Sequence, residues 1–195
     1  REVLQAVNSG IIPEGWNTTT IVLIPKVDNP ERNTQFRPIS LCNEVYKVIS
    51  KMLASRLKLL LPDVISETQS AFVPGRIITD NVIVAYECLH TMKKRMSGKV
   101  GTYAVKLDIH KAYDRVEWSF LEAMLIKLGF DSRWVKLIMA CVPSVEYKVK
   151  FNSNETNPFM PTRGLRKGYP LSPYLFLLCA EGLSALISHE ESEGN

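Results

Sequence analysis

Two periodicities share this chain without settling into a repeat, and that limits its fold more than any single motif. Residues 20–26 (TIVLIPK) are β-rich, close on Pro25 and run into a loop of Asp, Asn and Pro. Over residues 43–60 the apolar positions Val45, Ile49, Met52, Leu53, Leu57 and Leu60 instead recur at helical spacing. Lys47, Lys51 and Lys58 fall off that stripe, and Pro62 ends the pattern. Residues 66–78 read as a loop around Val-Pro-Gly-Arg, and residues 80–96 as a further helix. A connection over 97–101 (SGKVG) leads into TYAVKLD (102–108), which alternates as a strand. Asp114 with Glu117 has the form of a capping box for a helix carrying Leu121, Met124, Leu125 and Leu128, with Gly129 at its end. Asp131 caps another helix reaching Val142, VEYKVKF (145–151) alternates as a strand, and a Pro/Gly-rich loop over 157–173 precedes a last helix over 174–187. Helices and strands mix without a regular βαβ order, so the expected fold class is α+β.

With 195 residues, 46% of them hydrophobic and 23% charged, the chain can bury one sizeable core. No run approaches the ~20 apolar residues of a membrane span, the best being PYLFLLCA, which ends at Glu181. A start on Arg1 rather than Met suggests a piece of something longer, and no charged-then-apolar leader opens it. Cys42, Cys88, Cys141 and Cys179 are isolated in apolar surroundings, which predicts reduced core thiols rather than a zinc site or a disulfide framework. His90, His110 and His189 form no ligand pattern.

The net charge of +4 is uneven. Residues 1–100 hold 13 Lys+Arg against 9 Asp+Glu, whereas the remainder balances at 11 against 11. Yet Arg163, Arg166 and Lys167 fall in a stretch, 156–180, without an acid. Such clustering suits a polyanion, either nucleic acid or a nucleoside triphosphate, and equally suits a solvated basic surface.

Asp108 closes the strand-like run, and Asp114 is better placed to cap the next helix. A carboxylate on a rigid strand end suits a hard cation such as Mg²⁺, which takes oxygen ligands and keeps substrate phosphates in its shell. Two-metal phosphoryl transfer needs at least two such acids converging, so one acid alone leaves an ordinary polar strand end as the competing reading.

Four blocks then narrow the choice: FRPISLCNEVYKVISKMLASRLK (36–58), QSAFVPGR (69–76), KLDIHKAYDRVEW (106–118) and RGLRKGYPLSPYLF (163–176). Together, and in this order, they resemble the reverse transcriptase domain of non-LTR, LINE-type retrotransposons, plant elements most closely, over residues 11–187. The resemblance implies a right-hand polymerase fold, with a fingers region over 1–100 and an incomplete palm over 101–195. It implies that Asp108 is the first metal-binding aspartate, with Mg²⁺ as the cofactor. It implies that Tyr113 packs under the sugar of the incoming nucleotide and that Lys26 and Arg37 hold its triphosphate, a task suited to arginine's planar fork. Residues 164–173 would lie against template and incoming base, with Gly164 and Gly168 permitting close backbone approach. Lys167 and Gly168 join the nucleotide site on that reading, and Gln69 and the Pro74-Gly75-Arg76 turn would contact template.

The implied partners are an RNA template, a DNA primer and deoxynucleoside triphosphates, with no membrane and no set oligomeric state. The implied location is intracellular, nuclear for the intact element protein. This sequence departs from the family's RGLRQGDPLSP loop in having Lys167 for Gln and Tyr169 for Asp, changes that fit a decayed copy. No Asp-Asp pair, the family's second acidic motif, occurs in it, so the chain alone is predicted to be inactive. Two alternatives stand beside a polymerase fragment: a catalytically dead RNA-binding module and, fitting the blocks less well, the related domain of a group II intron maturase.

Overall fold

The computed structural model describes residues 1–95, 101–152 and 154–194. In chain order the elements are α1 (Glu2–Ser9), β1 (Thr18–Pro25), β2 (Phe36–Cys42), α2 (Glu44–Val64), α3 (Ile78–Lys94), α4 (Trp118–Lys127), α5 (Ser132–Cys141), β3 (Glu146–Phe151), β4 (Asn154–Glu155) and α6 (Ser172–Glu193). Mixed helix and strand content agrees with the expected class. The connection at 97–101 lies outside the described residues except for Gly101, and so does the division expected at residue 100.

Packing centres on α2. Asn43 caps it by accepting from the Val45 N–H at 2.9 Å. Its buried face is Tyr46, Ile49, Ser50, Leu53, Ala54, Leu57 and Leu61, a continuous three- and four-residue stripe. Leu121 and Leu125 of α4, Ile138 and Cys141 of α5, and Leu175 and Leu178 of α6 join it in one core. Each leucine fully buried there is worth roughly 1.5–3 kcal/mol. Pro62 does not end the helix but sits inside its last turn, and Leu61 takes the core position expected of Leu60, which is 45% exposed.

The described strands form one sheet in the order β2-β1-β3-β4. β1 pairs antiparallel with β2 and parallel with β3, so the sheet joins residues far apart in sequence. β2 went unread in the sequence because Pro38 interrupts it. As an edge strand it tolerates the missing N–H, with Pro38 opposite Leu23.

Three expectations fail. The run 102–108 forms no strand: Tyr103 is 90% exposed, Val105 80% and Leu107 66%, and no described strand pairs with them. Alternation favours a strand only where one face is covered, and here neither is. The capping box is also absent, because Asp114 lies in a 3₁₀ turn (Ala112–Arg115) and α4 starts at Trp118 behind Glu117, which makes no side-chain cap. Finally, Cys88 is exposed on α3, a helix with no buried residue, although Cys141 and Cys179 are core thiols as expected. Other expectations are met: Asp131 caps α5 through the Arg133 N–H at 2.9 Å, and α6 exists but extends beyond residue 187. Among the described residues no helix is long and apolar enough to cross a membrane.

Candidate functional site

The segment 163–169 is stitched to the chain around the 3₁₀ turn almost residue by residue. Arg163 pairs with Glu117 at 2.9 Å. The Gly164 N–H donates to the Val116 carbonyl at 2.8 Å, and the Leu165 N–H to the Tyr113 carbonyl at 2.8 Å. Trp118 Nε1 donates to the Gly164 carbonyl at 2.9 Å. Gly164 itself has φ +95°, and a Cβ there would stand 3.2 Å from the Asp114 carbonyl oxygen, so both backbone shape and space call for glycine. Lys167 Nζ reaches Asp114 Oδ2 at 2.9 Å.

Arg166 anchors the other side of this segment. It is 7% exposed, and its guanidinium lies 4.2 Å from the Tyr169 ring centre and 4.8 Å from that of Tyr46. One nitrogen donates to Thr19 Oγ1 at 2.8 Å and another to Asn17 Oδ1. Asn17 Nδ2 in turn donates to the Cys141 carbonyl at 2.9 Å, and Tyr46 Oη donates to the same carbonyl at 2.7 Å. A buried cation is thus held by neutral dipoles and two aromatic faces, an arrangement that offsets the cost of leaving water. Burial raises the hydroxyls of both Tyr46 and Tyr169 well above their ordinary value, while Arg166 pulls both back. The Cys141 thiol is pushed to about 11 by burial. Tyr169, read from sequence as an acid lost, therefore has a definite place: its ring is buried and covers the Arg166 guanidinium. Arg166 was missed because the acid-free stretch reads as solvated basic surface. The available signal was its position between Leu165 and Tyr169, both buried.

Between the segment and the sheet edge lies a cavity of about 620 Å³ lined by Lys26, Arg37, Pro38, Ile39, Ser40, Lys167 and Gly168. Lys26 and Arg37, to which the resemblance assigns the triphosphate, meet Lys167 and Gly168 here, from the end of β1, the start of β2 and the 163–169 segment. No acid is in the lining. Arg37 lies opposite Ile24 across the β1–β2 pair, exposed and with no partner among the described residues. Lys26 spends one donor on the Thr34 carbonyl at 2.9 Å, which leaves two for a ligand. The turn between these residues is closed by Gln35, whose side-chain oxygen accepts from the N–H groups of Glu31 and Arg32 at 2.7 and 2.8 Å. Gly168, at φ +80° with open space around it, leaves its backbone free on the cavity wall.

Asp108 and Tyr113 are not part of that lining. Asp108 sits on the exposed, unpaired run, so the rigid strand end expected to aim it is missing. A hard divalent cation wants several oxygen ligands, and among the described residues no group of three or more His, Cys, Asp or Glu could hold a metal. One exposed carboxylate does not fit Mg²⁺. The Tyr113 ring stacks on Phe176 at 4.8 Å and 12°, packed against the core, and burial raises its hydroxyl above the ordinary value. Arg76 is also committed elsewhere, donating to the carbonyls of Gln69 at 2.7 Å and Ile65 at 3.0 Å near the end of α2. Gln69 accepts from the Ala71 N–H at 3.0 Å.

Residues 24–193 match the family described as "Reverse transcriptase (RNA-dependent DNA polymerase)". A transposon TX1 protein of 149 kDa from Xenopus laevis, itself uncharacterized, is 33% identical over 187 residues, 96% of this chain and 14% of its own length. The retrovirus-related Pol polyprotein of the type-1 retrotransposable element R2 from Popillia japonica is 25% identical over 193 residues, 93% of this chain and 26% of its own. An uncharacterized mitochondrial protein of Arabidopsis thaliana is 59% identical over 34 residues, 17% of this chain and 28% of its own. The chain thus spans between a seventh and a quarter of the two relatives matched along most of it.

Proposed function

Since this chain belongs to the reverse transcriptase (RNA-dependent DNA polymerase) family, we propose that it supplies the nucleotide-binding part of the RNA-directed DNA polymerase of a non-LTR, LINE-type retroelement. In the intact protein a primer 3′-hydroxyl would attack the α-phosphate of a deoxynucleoside triphosphate along an RNA template, breaking the α–β phosphoanhydride bond and releasing pyrophosphate. Residues 1–100 would form fingers and 101–195 part of a palm, in an element of plant type acting in the nucleus. The short, highly identical Arabidopsis match supports the plant assignment, while the relatives along most of the chain come from animals.

One observation carries the reading: Lys26, Arg37 and Lys167, far apart in sequence, line a single acid-free cavity beside the open backbone of Gly168. Three cations on one acid-free wall make a site of positive potential, and a triphosphate carries the charge to engage all of them. Arg37 is the natural anchor, because its planar fork binds two phosphate oxygens together. Lys26 and Lys167 add point charges on either side.

Titration of the chain with inorganic tripolyphosphate and with a deoxynucleoside triphosphate tests the cavity. Arg37→Ala should weaken both by about tenfold, or ~1.4 kcal/mol, and flatten the salt dependence. Equal affinity in the variant would remove the reading. A noncatalytic RNA-binding module is the second reading, favoured by the single exposed Asp108. It predicts RNA retention without deoxynucleotide incorporation even in a longer piece of the protein.

A further inference from the structure

Resting on that reading of the cavity, we propose that Asp114 determines how strongly the site binds polyanions, by holding Lys167 away from the ligand. Lys167 is the cavity cation that belongs to this chain rather than to the family's loop pattern, and the structure gives it a countercharge outside the cavity. Its Nζ stands 2.9 Å from Asp114 Oδ2, with the two side chains 49% and 47% exposed. A pair so open to water is worth at most about 1 kcal/mol and exchanges readily. Arriving phosphate oxygens must therefore compete with one carboxylate for one ammonium.

Asp114 cannot yield by moving its backbone. Its N–H donates to the Lys111 carbonyl at 2.9 Å, and Gly164 packs against its Cα and carbonyl. On either side the Tyr113 and Val116 carbonyls accept from Leu165 and Gly164. Only the side chain can turn, so the carboxylate stays beside any phosphate that Lys167 engages and repels it. Asp114 is accordingly a specificity-determining residue: it lowers affinity for every anion and costs most to those that need Lys167.

Tripolyphosphate titrations at low salt start from a cycle of four proteins: the unaltered chain, Asp114→Asn, Lys167→Gln and the double variant. Asp114→Asn should tighten binding about 3- to 5-fold, with most of that gain gone in the Lys167→Gln background. Glu117→Gln, which frees Arg163 from a comparable exposed pair, should change affinity by less than about 1.5-fold. Asp114→Ser repeats the test with a different side chain, and melting curves confirm that each variant is folded. Unchanged affinity in both Asp114 variants overturns the inference, as does equal tightening with and without Lys167 or an equal gain in Glu117→Gln. If Arg37→Ala weakens binding while Asp114→Asn does nothing, the cavity reading stands and this inference alone falls. If no protein binds the anion, both fall.

Discussion

Segments 163–169 and 101–110 make an instructive pair, because each contains one of the most recognisable stretches of the sequence. The first is held on two sides, by backbone bonds to the 113–116 region and by a buried arginine between two tyrosine rings. The second has exposed side chains throughout and no strand beside it among the described residues. Motif letters specify which chemistry a segment can offer. Where that chemistry points depends on the partners that fix the backbone, and only the first segment has its partners within the described residues.

The strongest way to break this contrast is to remove the buried guanidinium. Arg166→Ala should cost about 3 kcal/mol, since it opens a cavity between Tyr46 and Tyr169 and strands the oxygens of Asn17 and Thr19. Urea unfolding measures this, and a loss below about 1 kcal/mol would mean that Arg166 does not anchor the segment. A smaller effect is expected from Gly164→Ala. The φ of +95° and the 3.2 Å approach to Asp114 should cost about 2 kcal/mol in the same assay and loosen the Lys167 contact with the turn. Full stability in that variant would show that the stitching around 113–118 is slack.

The same contrast explains what could be read beforehand. The α2 stripe was legible in outline because its buried residues recur every three or four positions. Ile49, Leu53 and Leu57 are buried as read, Leu61 is buried instead of Leu60, Val45 and Met52 are only half-buried, and Tyr46, Ser50 and Ala54 join the face unread. Asp131 was legible because a cap is a local interaction. β2 was hidden by Pro38, which excludes a central strand but permits an edge. The convergence of Lys26, Arg37 and Lys167 on one cavity came only through family resemblance, since no local rule joins residues so distant. Asp114 misled because a capping box and an ion pair with Lys167 require the same side chain, and the second partner lies 53 positions away. Arg166 misled for the opposite reason. Charge usually marks surface, yet here two aromatic rings and two neutral oxygens make its burial tolerable.

The smallest effect belongs to the bare segment and sharpens the comparison most directly. Leu107, 66% exposed, stands one residue before Asp108 in the alternation that suggested a buried strand. If the segment makes no stabilising contact, Leu107→Ser should change unfolding free energy by less than about 0.5 kcal/mol. A buried strand position would instead lose about 2 kcal/mol or more, because both the apolar transfer and the packing around it would be forfeited. Measuring the two outcomes requires the same urea titration as for Arg166→Ala, so the segments are compared on one scale. A large loss at Leu107 would mean that the run is covered in solution, and that Asp108 has the fixed backbone needed to aim a carboxylate. A negligible loss would leave Asp108 on a backbone that takes its shape only when something else pairs with it.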